Sequence, residues 1–249
     1  MPCEGPARKG LALPVHRWHK RCAKAAMLKT LQAKGKSVGS QMREVMFGDL
    51  PWDVWCRREG PLEEPWPLFR AAWTAKKNGD LAGCRACLEQ VTAMVNIETR
   101  HHVQAWHYLR ELNLSPPAGE AKEVLGIILE TGIPEGTDVL GAYEDHTARY
   151  WGPGGLGLLW DRPDDRLDDD FDSFFATAQI AAGKIEPRRG ERPPIPKLGV
   201  IQISILTPGG IHLGLGTAKV LDRDPLAKSL VGRGKAIANK LMAQRKIQP

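Results

Sequence analysis

Two cysteines and two histidines, spaced Cys84-x2-Cys87-x13-His101-x5-His107 with His102 as an alternative third ligand, match the ligand pattern of a zinc finger. Finger cysteines sit on a hairpin knuckle, whereas here the surrounding pattern is helical. Cys84 belongs to an apolar row, Leu81, Cys84, Leu88, Val91 and Val95, spaced as one side of a helix. At 100° per residue, His101 and His107 stand about 120° apart and His102 and His107 about 140° apart, so neither pair shares a face. A buried free cysteine behaves as a small hydrophobe. Cys84, Cys87, His102 and His107 are therefore read as helix residues and rejected as metal ligands, and no cofactor is expected.

The run Gly152-Pro-Gly154-Gly155-Leu-Gly157 spells G-x-G-x-x-G. A dinucleotide site needs a helix directly after that loop to bind pyrophosphate, but the chain continues as Leu158-Leu159-Trp160 and meets Pro163. A hairpin loop is the better reading. Glycine backbone still permits close approach by a ligand, which keeps Gly154 and Gly155, together with His212 on a later hairpin, as a candidate ligand loop. Tyr143, Asp145, His146 and His212 are the acid–base candidates of an enzyme sited where loop 152–157 would meet loop 207–212. Asp164, Asp165, Asp168, Asp169, Asp170 and Asp172 lack calcium-loop spacing and fit a helix start, where carboxylates favour the macrodipole. No H-E-x-x-H or G-x-x-x-x-G-K-[ST] occurs.

The 249 residues carry a net charge of +6 that is unevenly spread. Residues 1–43 hold ten Lys or Arg against one acid, and the remainder holds 25 bases against 28 acids. A slightly acidic body thus carries a basic arm. Residues 1–46 are expected to be mostly disordered, with Arg17, Trp18, Lys20, Arg21 and Lys24 as candidate polyanion contacts. The last helix adds Lys228, Arg233, Lys235, Lys240, Arg245 and Lys246, so nucleic acid is one partner that the charge pattern fits. The five cysteines are odd in number and confined to residues 3–87, which suits a reducing cytoplasm. No apolar run reaches membrane-spanning length, and Leu11 to Val15 is too short for the core of a signal peptide.

These residues must be positioned by elements that the periodicity outlines. Residues 47–131 read as a tryptophan- and proline-rich link followed by four helices, near 68–77, 81–95, 98–112 and 118–131. The fourth presents Ala121, Val124, Leu125 and Ile128 on one side. Residues 132–249 read as β-β-β-α-β-β-α, with strands in DVLGAYED, TARYW, LGLLWD and the hairpin VIQISIL-TPGG-IHLGLG. The expected fold class is α+β: a helical subdomain packed on a five-stranded antiparallel sheet with two further helices. Trp52, Trp55 and Trp66, with Trp73 nearby, are candidate anchors for a protein partner, which makes a binding or adaptor role through the helical subdomain the leading expectation.

The segment LFRAAWTAKKNGDLAGCRACLEQV resembles one tetratricopeptide helix pair, over about residues 66–113 and without a second repeat at the required period. HVQAWHYLREL, AYEDHTARYW and LTPGGIHLGLG are similar to segments of a bacterial protein family of unknown function. That resemblance extends over residues 66–245 and implies a common fold, with no activity attached.

Overall fold

The segment GIILETGI is apolar at odd and even positions alike, and in the computed structural model it is the central strand β1 (Gly126–Ile133), covered on both faces. This overturns the expected fourth helix over 118–131. The i, i+3, i+4 spacing of residues 121–128 arises because both faces of β1 need apolar residues, and its isoleucines favour a strand. The sheet therefore has six strands rather than five, and position 131/132 falls inside a strand instead of between two domains.

The structure describes residues 38–56, 63–188 and 192–245. The candidate arm residues Arg17, Trp18, Lys20, Arg21 and Lys24 lie outside them. The described chain opens with α1 (Val38–Phe47), so the final residues of the segment expected to be disordered are helical, with Arg43 to Phe47 buried. Then follow the short α2 (Trp52–Trp55), α3 (Trp66–Lys77), α4 (Leu81–Ala93) and α5 (Thr99–Glu111). Asp80 caps α4 by accepting from the Gly83 N–H at 2.8 Å. Cys84, Leu88 and Val91 have no exposed surface, while Leu81 and Val95 at the two ends of the row are 58% and 78% exposed.

After β1 come β2 (Gly136–Tyr143), β3 (Ala148–Trp151), a 3₁₀ turn at Pro153–Gly155, and β4 (Gly157–Trp160). Helix α6 (Asp168–Lys184), the hairpin β5 (Val200–Thr207) and β6 (Gly210–Thr217), short α7 (Ala218–Leu221) and α8 (Pro225–Arg245) complete the chain. The sheet order is β4-β3-β2-β1-β5-β6, antiparallel throughout. Ile127, Leu129, Leu140, Ile201, Ile203 and Ile205 pack one face against α6 and α8. The other face meets α1 and α5 through Ile128, Val139 and Leu206 against Met46, Phe47 and Val103. The fold is α+β, a single antiparallel sheet between two helical layers. Gly234 lets α8 lie close to the sheet: a Cβ there would stand 2.7 Å from Leu129 Cδ2.

A carboxylate is buried on the α1 face. Glu130, at 0% exposure on β1, accepts from Arg43 Nε and Nη2 of α1 and from Gln202 Nε2 of β5, its register partner. Arg43 Nη2 also donates to the Pro193 carbonyl at 3.1 Å. Removing one member of such a pair strands the other charge, so Glu130→Ala is expected to destabilise by about 3–5 kcal/mol in chemical denaturation. Arg43→Met combined with Glu130→Leu should recover most of that loss, and a double variant no better than the single one would contradict the assignment.

Candidate functional site

A dense group of charged and titratable side chains lies where the start of α5 docks on the turn between β2 and β3. Glu144 to Thr147 form that turn, with His146 in the left-handed region at φ 61°. Asp145 faces the start of α5: its Oδ2 accepts from the Thr99 N–H at 2.8 Å, and its own N–H donates to Thr99 Oγ1 at 3.2 Å. Asp145 Oδ1 accepts from both the N–H and the hydroxyl of Thr147. A carboxylate at a helix start satisfies N–H groups that have no partner within the helix.

Beside this joint, Arg100 Nη2 and Arg149 Nη2 donate to the same Glu98 Oε2, at 3.0 and 2.8 Å. Both arginines are buried, and the Arg100 guanidinium foremost holds the Glu98 carboxyl far below the usual carboxylate range. For Arg149, burial and the neighbouring Arg100 outweigh the carboxylate and lower its pKa, whereas for Arg100 burial, the largest single influence, is outweighed by Glu98, Tyr143 and Asp145 together and its pKa rises. His101, only 6% exposed, is framed by Trp66, Trp55 and Phe69, with ring centroids 5.4, 5.8 and 6.4 Å away. Neither ring nitrogen has a hydrogen-bond partner, and burial, assisted by Arg100, pushes its pKa down to about 3. His101 serves here as a neutral ring in an aromatic cage.

Chemically this centre is a clamp. A carboxylate held ionised so firmly is a weak base, and an uncharged imidazole with no hydrogen-bonded route to solvent does not relay protons. On the other side of the turn, His146 stacks on Phe171 and contacts Asp168 at 2.9 Å and Asp172 at 3.1 Å, while Asp168 also binds Arg162. The acidic run is thus shared out among basic partners: Asp164 with Arg166, Asp168 with Arg162 and His146, and Asp170 with Lys240 of α8.

The other candidates do not converge. Along the sheet, loop 152–157 follows Trp151, which pairs with Val139, whereas turn 208–209 follows Thr207, at the end where Gly126 pairs with both Tyr143 and Leu206. The glycine loop and the last hairpin turn therefore lie at opposite ends of the sheet, with β2 and β1 between β3 and β5. Tyr143 faces α1, its hydroxyl donating to the Met46 carbonyl at 2.7 Å. His212 faces the other way, its Nδ1 donating to the Ile185 carbonyl at 2.7 Å and its Nε2 3.1 Å from Thr207 Oγ1. Gly154 and Gly155 both take positive φ in the 3₁₀ turn and are not brought to His212.

Of the tryptophans, Trp55 and Trp52 are interior at 1% and 7% exposure. Trp52 stacks on Tyr108 with centroids 3.7 Å apart and on Trp73 at 5.8 Å, and its indole N–H donates to Glu111. Trp55 lies against Trp66 at 4.8 Å and edge-on to Phe69 at 5.6 Å. Trp66 alone of the three named anchors retains part of its surface. Cys84 and Cys87 are on α4 and His102 and His107 on α5, with His107 paired to Glu111 at 3.2 Å. Among the described residues no group of three or more His, Cys, Asp or Glu is placed to hold a metal ion, and no helix is long and apolar enough to cross a membrane.

A further surface, formed by main-chain groups, is the outer edge of β6. Two bonds fix its polarity: the Leu125 N–H donates to Leu206 O, so even-numbered residues of β5 face β1, and the Arg188 N–H donates to Ile211 O from outside the sheet. Odd-numbered residues of β6 thus turn their main-chain groups outward. Beyond Ile211 these are Leu213 and Leu215, neither of which has an outer main-chain partner among the described residues, and Thr217, whose carbonyl is taken by the first turn of α7. Leu215 is 55% exposed. The signal available in the sequence was IHLGLGT itself, an uncharged terminal hairpin strand without proline.

No protein-family model, curated protein or solved structure matches this chain. The class is given by its architecture alone, a helix-covered six-stranded antiparallel sheet.

The buried titratable groups set opposing pH dependences. An unfolded His101 takes up a proton near pH 6.5 and the folded one only near 3, so this residue lowers stability as pH falls from 6.5 towards 3. Asp49, paired with Arg192 at 2.6 Å, is raised by burial from 3.8 to about 6, so it adds stability as pH falls through that window. Urea midpoints measured from pH 7.5 to 4 should show His101→Leu removing a slope of about 1.4 kcal/mol per pH unit below 6, and Asp49→Asn adding to the slope. An unchanged slope in His101→Leu would mean that the ring is protonated in its cage.

Proposed function

We propose that this chain is a protein-binding module, and that it takes an extended partner segment on the outer edge of β6. The observation that carries the reading is the open edge itself: outward main-chain groups at Leu213 and Leu215 and the outward N–H of Thr217, with Leu215 half in solvent. Natural sheet edges are guarded by lysine, proline, a bulge or a covering element. Among the described residues β6 carries none of these past Ile211, where the bridge from Arg188 stops. The opposite edge, β4, is four residues long and lies between Pro153 and Pro163. Strand addition obtains affinity from main-chain hydrogen bonds and specificity from alternate side chains, and β6 offers both.

Binding is also favoured over catalysis by how the polar groups are used. Glu98, Asp145, Asp168, Glu130 and His212 each hold two elements together, and the acid–base candidates face different sides of the sheet. The same reasoning moves the expected contact away from the helical subdomain, since Trp52 and Trp55 are already enclosed by Tyr108, Phe69 and Trp66.

A photoreactive benzoylphenylalanine placed at Leu215, with a control at Ile180, which is 53% exposed on α6, tests the reading. The expected result is an adduct at 215 that maps to one extended segment of one polypeptide and is suppressed by Leu213→Pro. Equal labelling at 180, or none at 215, would overturn it.

A further inference from the structure

We infer that the partner strand on β6 is β6 of a second copy of this chain, paired antiparallel about a two-fold axis at Leu215. The inference rests on the edge-binding reading and adds the identity of the occupant. Three features of the strand are self-complementary.

The first is register. The outward residues 213, 215 and 217 are symmetric about 215, so a two-fold axis there sets Leu215 opposite its own copy and Leu213 opposite Thr217. All three are then facing pairs which, with each Thr217 carbonyl held by α7, exchange up to about four main-chain bonds. The paired strands would join two six-stranded sheets into one, with α1 and α5 of both copies on the same side.

The second is shape. On the α1 side the two Leu215 side chains meet, with Cα atoms about 5.5 Å apart as in any hydrogen-bonded antiparallel pair. On the α6 side the residues at the seam are Gly214 and Gly216, each opposite the other's copy, so no side chain separates the strands there. Val220 stands next to that gap: it is 53% exposed, and a Cβ on Gly216 would come within 3.2 Å of its Cγ1. It is placed to cover the glycine of the second copy.

The third is charge. From Gly210 to Thr217 the strand carries no charged side chain, so the chain's net charge of +6 does not concentrate at the seam.

Sedimentation equilibrium of the full chain is the first measurement. The expected species at micromolar concentration has twice the 27.5 kDa chain mass. Leu215→Lys should weaken self-association by at least about tenfold, while Ile180→Lys leaves it unchanged. Leu215→Pro removes only an outward N–H and should act like the lysine. Should the proline variant fail to fold, Leu215→Lys, which keeps the main chain intact, carries the test.

Register is read separately. In Leu215→Cys, the expected Cα separation lies within disulfide range, so mild oxidation should join the two copies by a disulfide at position 215, identified by peptide mapping. Leu213→Cys should link only when Thr217→Cys is also present. A wild-type monomer at 100 micromolar, self-association indifferent to Leu215→Lys, or efficient linking of Leu213→Cys alone would each overturn the inference. A monomer that still labels another polypeptide at 215 would sink the second copy and leave the edge-binding reading standing, whereas a monomer without labelling would sink both.

Discussion

A carboxylate with no exposed surface in the middle of a sheet obliges the surrounding chain to answer it. Glu130 is such a group, and three separate stretches respond: Arg43 from α1, Gln202 from β5 and, through Arg43, the carbonyl of Pro193 in the loop before β5. An isolated charge there would be prohibitive, so α1 cannot leave the sheet without stranding it. This pins the helical layer to the strands. Nearby, Phe47 lies between the guanidinium groups of Arg43 and Arg192, at 5.3 and 5.2 Å, and Arg192 in turn holds Asp49.

The far end of the same layer is pinned differently. There the start of α5 is joined to the turn between β2 and β3 by Asp145, and Glu98 bridges two buried arginines, one from the helix and one from β3. The helical layer is thus fastened at two points, with the aromatic cluster of Trp52, Trp55, Phe69, Tyr108 and His101 behind it. Polar chemistry in this protein is structural at both points, and this turns attention from side-chain clusters to the main chain at the border of the sheet.

How much of this was legible depends on whether the determining contacts are local. Asp80 as a cap, the stop at Asn78-Gly79, the three strands after residue 136 and the last hairpin follow from near neighbours, and the structure has them. Residues 118–131 failed because a strand covered on both faces loses its alternation, and a charged residue inside an apolar run then resembles the wet side of a helix. Glu130 reads that way until Arg43, which is remote in sequence, is placed beside it. The tryptophans were visible as a cluster, but whether they point inward depends on Tyr108 and Glu111 from another helix. The open edge was hidden for another reason: which residues of β6 turn outward is decided by its pairing with β5, and IHLGLGT alone does not specify it.

The place of β1 in the sheet also sets a timetable. Its pairing with β2 needs only a two-residue turn, and Arg43 has been made long before, so Glu130 can meet its first partner as soon as β1 emerges. Its other side waits for β5, which begins only at Val200. At about 5–20 residues per second, translation leaves several seconds in which a growing chain carries an unpaired, largely apolar border at the sheet's centre. Pro187, Pro193, Pro194 and Pro196, which precede β5, lie in the last stretch made before that border can close.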